Sequence, residues 1–132
     1  MNVRRRADGL RVQPVALDWE QTSIDARDPL ALGRWWREAL GWVVVDDGPD
    51  VFEIRPEETR TPGLLFVPVQ DRKTVKNRLH LDFRPDDRDR EVERLLSIGA
   101  TRVDIGQGEQ SWVVLADPEG NEFCVLGSRQ ED

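Results

Sequence analysis

Residues 28–46 read DPLALGRWWREALGWVVVD and predict a helix followed by a strand. Asp28 is a natural N-cap, Pro29 suits the first helical position, and Gly41 can end the helix in the left-handed conformation. Between them, apolar residues recur at the i, i+3, i+4, i+7 and i+8 spacing of one buried stripe. These residues are Leu32, Trp35, Trp36, Ala39 and Leu40. We therefore predict an amphipathic helix over Pro29–Leu40.

A second segment repeats this pattern further along the chain. Residues 80–104 read HLDFRPDDRDREVERLLSIGATRVD. Asp86 or Asp87 can cap a helix here, and Gly99 can end it, so we predict this helix over Asp87–Ile98. Its apolar stripe consists of Val92, Leu95 and Leu96. Because the spacing from strand aspartate to closing glycine differs by only one residue between the segments, we interpret them as two copies of one unit.

Each predicted helix is followed by three strand patterns, so each copy reads βαβββ. The strands are WVVVD, VFEIR and GLLFVPV in the first copy, and TRVDI, SWVVLAD and EFCVL in the second. The expected fold class is α+β, with module one at about residues 19–70 and module two at about residues 77–128 of a single domain over 19–128. GQGEQ, residues 106–110, is expected to form a hairpin turn. Residues 1–18 are expected to be a mobile N-terminal extension.

Composition limits the classes of function. The chain has 132 residues, 38% hydrophobic and 34% charged, which suits one domain with one buried core. A net charge of −7 and a pI near 4.8 argue against nucleic acid or anionic membranes as partners. No apolar run approaches the ~20 residues of a membrane span, and the first ten residues lack a signal-peptide pattern. With Cys124 as its single cysteine, the chain has no internal disulfide and is expected in the cytoplasm.

Three stretches carry a resemblance to a known family: QTSIDARDPLALGRWWREALGW, NRLHLDF and WVVLADPEGNEFCVL. Together they resemble the vicinal oxygen chelate superfamily, which includes glyoxalase I, bleomycin-resistance proteins and extradiol dioxygenases, and in particular its small bacterial glyoxalase-like proteins. The resemblance covers the chain from about Gln21 to Gly127. It implies two βαβββ modules that form a curved mixed sheet around a cavity, with the helices on the outer face. It also implies a small-molecule ligand and a homodimer that pairs through open sheet edges.

Strand alternation then predicts which side chains face the cavity. In RLHLDF these are His80 and Asp82, and in NEFCVL they are Glu122 and Cys124. In QTSIDA the cavity face includes Gln21. We expect Gln21, His80, Glu122 and Cys124 to converge on one pocket. The opposite faces are expected to pack between sheet and helices through Leu32, Trp36, Leu40, Leu79, Leu81, Phe83, Val92, Leu95, Leu96, Phe123 and Val125.

The resemblance also implies a divalent-metal site that takes one ligand from each of four strands. Gln21, His80 and Cys124 stand at three of those positions, and they are the candidate metal ligands. The second position falls on GLLFVPVQ, whose interior has no ligating side chain, so the cofactor stays open. In the structural alternative, His80 is a neutral pocket or core histidine and Cys124 a small apolar filler.

Two functions of different classes fit these residues. A glyoxalase-type lyase or isomerase acting on a carbonyl compound would use His80 to polarise the substrate or shuttle a proton, and Glu122 as its base. A non-catalytic protein that sequesters a ligand or antibiotic, as bleomycin-resistance proteins do, would instead hold a cationic, planar ligand between aromatic side chains. Trp19, Trp42 and Trp112 are candidates for that lining, and Trp112 is the expected ligand contact. The alternative for all three is packing in the core or at a subunit contact.

Overall fold

The computed structural model describes residues 16–103 and 111–129. In chain order its elements are β1 (Gln21–Ala26), α1 (Pro29–Leu40), β2 (Val43–Asp46), β3 (Phe52–Arg55), β4 (Gly63–Pro68), β5 (Leu81–Phe83), α2 (Arg88–Ser97), β6 (Thr101–Arg102), β7 (Val113–Ala116) and β8 (Glu122–Val125). The N-terminal extension, as far as residue 15, and the predicted turn at 106–110 lie outside the described residues. Within the described part of the chain, neither helix is long and apolar enough to cross a membrane.

The strands form two four-stranded mixed sheets, one for each βαβββ unit. Their orders are β1-β4-β3-β2 and β5-β8-β7-β6. In each sheet the first strand runs parallel to the last, and the other pairs are antiparallel. The predicted α+β fold is therefore confirmed, with its eight strands divided between two curved sheets that do not close into a barrel. β1 and β5 are both edge strands, and within the described residues they pair only with β4 and β8.

Both helices begin and end where their caps predict. α1 spans Pro29–Leu40 as expected, and Gly41 closes it with a φ of 70° in the left-handed region. α2 spans Arg88–Ser97, one residue shorter at each end than predicted, because Asp87 and Ile98 are its caps. Asp28 and Asp87 each accept a hydrogen bond from the backbone N–H three residues later, at 3.1 Å.

Helix α1 contacts both sheets, so the two sheets share one hydrophobic core. At 100° per residue, the buried positions of α1 cover about 160° of the helix circumference. This stripe is wider than a helix needs to pack on a single sheet. On one side Gly33 lies against β3 so closely that an added Cβ would overlap the ring of Phe52. On another side the ring of Trp36 packs against Phe123 and Phe83 of the second sheet, with centroid distances of 4.9 and 5.8 Å.

Buried Asp117 holds α1 to the turn between β7 and β8. Its carboxylate accepts a hydrogen bond from the Trp36 indole Nε1 at 2.9 Å. It also accepts hydrogen bonds from the backbone N–H groups of Glu119 and Asn121 and from the Asn121 side chain. The same residue therefore shapes a turn of the second module and anchors a helix of the first.

The predicted core set is confirmed except at one position. Leu32, Trp36, Val92, Leu95, Phe123 and Val125 are buried. Leu40, Leu81, Phe83 and Leu96 are partly buried and pack against the same core. The prediction for Leu79 is wrong, because its side chain is 89% exposed. β5 begins only at Leu81, so strand alternation does not extend back to Leu79.

Replacing Asp117 by Ala should lower the free energy of unfolding by about 3–5 kcal/mol, because the Trp36 indole and two backbone N–H groups lose their buried acceptor. Urea unfolding followed by circular dichroism measures this. Asp89→Ala is the matched control, since the Asp89 side chain is 83% exposed and a surface ion pair contributes at most about 1 kcal/mol. Equal effects of the two substitutions would contradict the anchoring role of Asp117.

Candidate functional site

The second sheet has a face that the core does not use. On β8, Phe123 and Val125 belong to the core cluster, so Cys124 between them points to the other face. Cys124 is the register partner of Asp82 on β5 and of Val114 on β7. We call this side of the sheet, which carries Asp82, Val114, Glu122 and Cys124, the non-core face.

His80, Asp82 and Cys124 meet on the non-core face. His80 Nδ1 lies 3.1 Å from Asp82 Oδ1 and 3.8 Å from Cys124 Sγ. Their potential ligand atoms all lie within 4.8 Å of one another. His80 and Asp82 are exposed, whereas Cys124 is buried. The cluster therefore offers nitrogen, oxygen and sulfur at one place that solvent reaches.

The thiol of Cys124 is held in its neutral form. Burial, and then a hydrogen bond to Asp82 and the negative charge of Asp82, raise its pKa from an ordinary 9.0 to about 11, while the charge of Lys76 acts in the opposite direction. A thiol with such a pKa is a poor nucleophile near neutrality, because the thiolate is the reactive form. The proximity of His80 therefore does not make Cys124 an activated nucleophile.

Glu122 lies on the same face but is bound by the segment that links the two modules. Its carboxylate pairs with Lys73 Nζ at 2.6 Å and accepts a hydrogen bond from the backbone N–H of Asn77 at 3.2 Å. Burial raises the pKa of Glu122, but the hydrogen bonds and the charge of Lys73 outweigh it, so the net pKa is lowered. The predicted role of Glu122 as a base stays a prediction, and it requires the ion pair with Lys73 to open.

Gln21 lies on β1 of the first sheet, whereas Asp82 and Cys124 lie on β5 and β8 of the second. It is the register partner of Gly63 on β4. On the neighbouring strand β3, Arg55 pairs with Glu53 at 2.9 Å. Because β1 and β5 are not hydrogen-bonded to each other, a pocket shared by Gln21 and His80 stays a prediction.

The three tryptophans proposed as ligand contacts lie in different environments. Trp19 is 64% exposed, and its indole donates a hydrogen bond to the carbonyl of Gln21 at 3.2 Å. Trp42 is partly buried and packs against the core, in keeping with the packing alternative. Trp112 is partly buried just before β7, and its contact with a ligand stays a prediction.

The sequence placed Asp82 on the cavity face with His80 but gave it no role in the site, and it did not assign Lys73 at all. No local pattern signals Lys73, because it belongs to a polar linker and reaches Glu122 across 49 positions of the chain. A contact between side chains so far apart along the chain depends on the path of the linker in the tertiary structure.

The four-strand metal site that the resemblance implies does not fit these residues. On β4, the positions beside Gln21 and Ser23 are Gly63 and Leu65, neither of which has a side chain that binds metal. The place of Gln21 in such a site stays a prediction. His80 and Cys124, two of the three candidate ligands, lie close together, and the third group beside them is the carboxylate of Asp82.

Known proteins resemble the chain in sequence and in fold. The profile of the family described as Glyoxalase-like domain matches residues 21–126. A glyoxalase/bleomycin resistance protein/dioxygenase family enzyme from Burkholderia phytofirmans PsJN superposes with a TM-score of 0.69 at 20% identity, covering 86% of this chain and 100% of its own. No match was found among curated proteins.

Two further solved structures are of proteins whose descriptions name antibiotic binding or resistance. The antibiotic-binding protein TnmS3 from Streptomyces sp. CB03234 has a TM-score of 0.60 at 19% identity, covering 88% of this chain and 100% of its own. The bleomycin resistance determinant encoded on transposon Tn5 has a TM-score of 0.57 at 15% identity, covering 86% and 100%. At sequence identities of 19% and 15%, the similarity shows a shared fold and nothing about the ligand of this chain.

Replacing Lys73 by Met should lower the free energy of unfolding near neutral pH by about 1.5–3 kcal/mol, because the buried Glu122 carboxylate loses a charged partner. The lowered pKa of Glu122 contributes stability above its ordinary value of 4.5, and this contribution is lost as the pH falls through the folded-state pKa. The deficit of the variant should therefore shrink at acid pH. Urea unfolding at about pH 7 and about pH 3.5 measures both values.

Lys76→Met is the matched control for this substitution, since Lys76 is an exposed lysine of the same linker. It should change stability by less than about 0.5 kcal/mol. A deficit of Lys73→Met that stayed constant with pH would show that the lost contact is not with a titrating carboxylate.

Proposed function

This chain belongs to the glyoxalase-like domain family, and we propose that it binds a small organic molecule on the non-core face of its second sheet. The observation that carries the proposal is the meeting of His80, Asp82 and Cys124 there. Polar side chains of this kind orient a ligand through hydrogen bonds. None of the three is needed by the core cluster.

The catalytic form of this proposal is a glyoxalase-type lyase or isomerase acting on a carbonyl compound. The His80 imidazole would donate a hydrogen bond to the carbonyl oxygen, and a neighbouring carboxylate would move the proton. Asp82 is in place for this step, since it lies 3.1 Å from the imidazole and is exposed. Glu122 would act only after its carboxylate leaves Lys73.

The second candidate is sequestration of a ligand or antibiotic without chemistry. It is favoured by the state of the ionisable groups, because Glu122 is already paired with Lys73 and Cys124 holds its proton to about pH 11. A protein that only binds needs neither a free base nor a nucleophile. The antibiotic-binding protein and the bleomycin resistance determinant of the same fold support this class of function.

We further propose that the chain forms a homodimer through the free edges of β1 and β5. Among residues 16–103 and 111–129, each of these strands pairs on one side only, and unpaired edges favour association. Large apolar side chains precede both edges in the chain: Leu17 and Leu79 are each 89% exposed and Trp19 is 64% exposed. Pairing β1 of one protomer with β5 of the other would bring Gln21 beside the His80 cluster.

The proposed binding site is tested by isothermal titration calorimetry with two probes: bleomycin, and the hemithioacetal of a 2-oxoaldehyde with glutathione. Binding of either should weaken at least about tenfold in His80→Ala and Asp82→Ala, since each removes a charged or polar contact of about 1.5 kcal/mol or more. Asp46→Ala, on β2 of the first sheet, should bind as the native chain does. Equal affinities in all variants would place the ligand elsewhere.

Product analysis with the same hemithioacetal separates the two functions. Conversion that is lost in His80→Ala supports the lyase or isomerase. Binding of bleomycin together with no conversion supports sequestration. Failure of both probes to bind would overturn the proposal for these ligand classes.

The homodimer is tested by sedimentation velocity at micromolar concentration. The native chain should sediment as a dimer, and Trp19→Asp or Leu79→Asp should shift it toward monomer, because each introduces a charge beside a free edge. Val43→Asp is the control, since Val43 is a 42% exposed residue on β2 at the opposite edge of the first sheet. A native chain that stays monomeric would contradict the proposed contact.

A further inference from the structure

The segment that links the two modules is attached to the rest of the protein by few side chains. Residues 71–79 lie in the connection between β4 and β5, and none of them belongs to a helix or strand. All of them are exposed except Lys73 and Asn77, which are partly buried. The core does not hold the apolar residues of this segment, since Val75 and Leu79 are 75% and 89% exposed. We call residues 71–79 the strap.

The two partly buried residues of the strap both contact Glu122. Lys73 Nζ lies 2.6 Å from Glu122 Oε1, and the backbone N–H of Asn77 donates a hydrogen bond to the same oxygen at 3.2 Å. The Asn77 side chain donates a further hydrogen bond to the Glu122 carbonyl at 3.4 Å. Among residues 16–103 and 111–129, these are the polar contacts that join the strap to the second sheet. A single residue of β8 therefore holds the strap in place.

The strap covers part of the non-core face. Glu122 and Cys124 are buried, although they point away from the core cluster. Side chains on an uncovered sheet face meet solvent, so other parts of the protein must lie over these two. The strap contacts Glu122 directly, and the charge of Lys76, in the middle of the strap, acts on the Cys124 thiol. The strap therefore lies over the stretch of β8 that contributes to the candidate site.

We propose that the strap is a movable cover of this site and that Glu122 is its latch. When the contacts of Glu122 break, the strap leaves the non-core face, and a small organic molecule reaches Asp82 and Cys124. The same opening frees the Glu122 carboxylate from Lys73, so access to the site is coupled to release of the candidate base. The inference rests on the proposed function for what enters the site, whereas the motion of the strap is tested without that ligand.

The strap has the features of a segment that opens while the fold stays intact. Local opening costs least where backbone is exposed and few apolar side chains are buried. The strap meets both conditions, so the ion pair and hydrogen bonds of Glu122 set how often it opens. The sheet beneath does not need to move, because Phe123 and Val125 hold β8 in the core.

Limited digestion of the full chain with trypsin measures the opening, because the strap contains cleavage sites after Lys76 and Arg78. Cleavage of a transiently opened segment follows the population of its open form. Glu122→Gln should speed cleavage at these sites at least about tenfold, since the strap loses a charged contact. Glu53→Gln is the matched control, because its side chain is 13% exposed and pairs with Arg55 in the first sheet. Equal cleavage rates in the native chain and Glu122→Gln would overturn the latch.

A second variant tests the other partner of the latch. Lys73→Met should speed cleavage by a similar factor, and the double variant with Glu122→Gln should be no faster than either, because both substitutions break the same contact. Fully additive effects would overturn the single latch. Cleavage after Arg94 within α2 reports global unfolding and should stay slow. If Glu122→Gln does not fold, Lys73→Met decides the outcome.

Access to the site is measured by the reaction of Cys124 with dithiodipyridine, a small neutral disulfide. Cys124 is the one cysteine of the chain and is buried, so its labelling requires the cover to open. Labelling should accelerate at least about tenfold in both Glu122→Gln and Lys73→Met. The two substitutions change the local charge in opposite directions, so an acceleration shared by both reports opening and not a shift of the thiol pKa.

Unchanged labelling together with faster cleavage would show that the strap moves without uncovering Cys124, and it would overturn the role of the strap as a cover. Neither bleomycin nor the hemithioacetal is present in these measurements. A failure here is therefore distinct from a failure of those probes to bind.

Discussion

The buried hydrogen-bond cluster around Asp117 joins the helix of the first module to the β7–β8 turn of the second. A buried carboxylate is tolerated only when its oxygens are well supplied with donors. Here the donors are the Trp36 indole, two backbone N–H groups of the β7–β8 turn and the Asn121 side chain. The indole is the long-range donor, since it lies 81 positions away in the chain. The packing of α1 on the second sheet and the shape of the last turn are therefore coupled.

The shared core decides which faces remain available for function. Because α1 packs on both sheets, each sheet turns one face toward it and leaves the other face to different contacts. On the second sheet the remaining face carries His80, Asp82 and Cys124. Phe123 and Val125 hold β8 in the core on either side of Cys124, so the thiol is presented beside Asp82 by rigid packing. Such support is what a precise binding or coordination geometry requires.

Two neighbouring polar residues of β8 illustrate how the surroundings set chemical character. Glu122 and Cys124 are two residues apart and point to the same face, and both are buried. Lys73 supplies a positive charge to Glu122, which lowers the carboxyl pKa. Asp82 supplies a negative charge to Cys124, which raises the thiol pKa. The first group is thereby occupied by the protein itself, whereas the second keeps its proton near neutrality.

The helices, the βαβββ repeat and most of the core could be predicted before the structure, because these features follow from local rules. Caps and glycines placed both helices, and the alternation of apolar residues assigned Phe123 and Val125 to the core. Alternation failed at Leu79 because only the tertiary pairing of β5 with β8 decides where that strand begins. The candidate site also combines residues that local rules place with residues that only the tertiary structure places. Period-two spacing puts Asp82 on the face of His80, but the approach of Lys73 to Glu122 depends on how the linker crosses the sheet. The packing of α1 on both sheets is likewise a tertiary contact that no local pattern encodes.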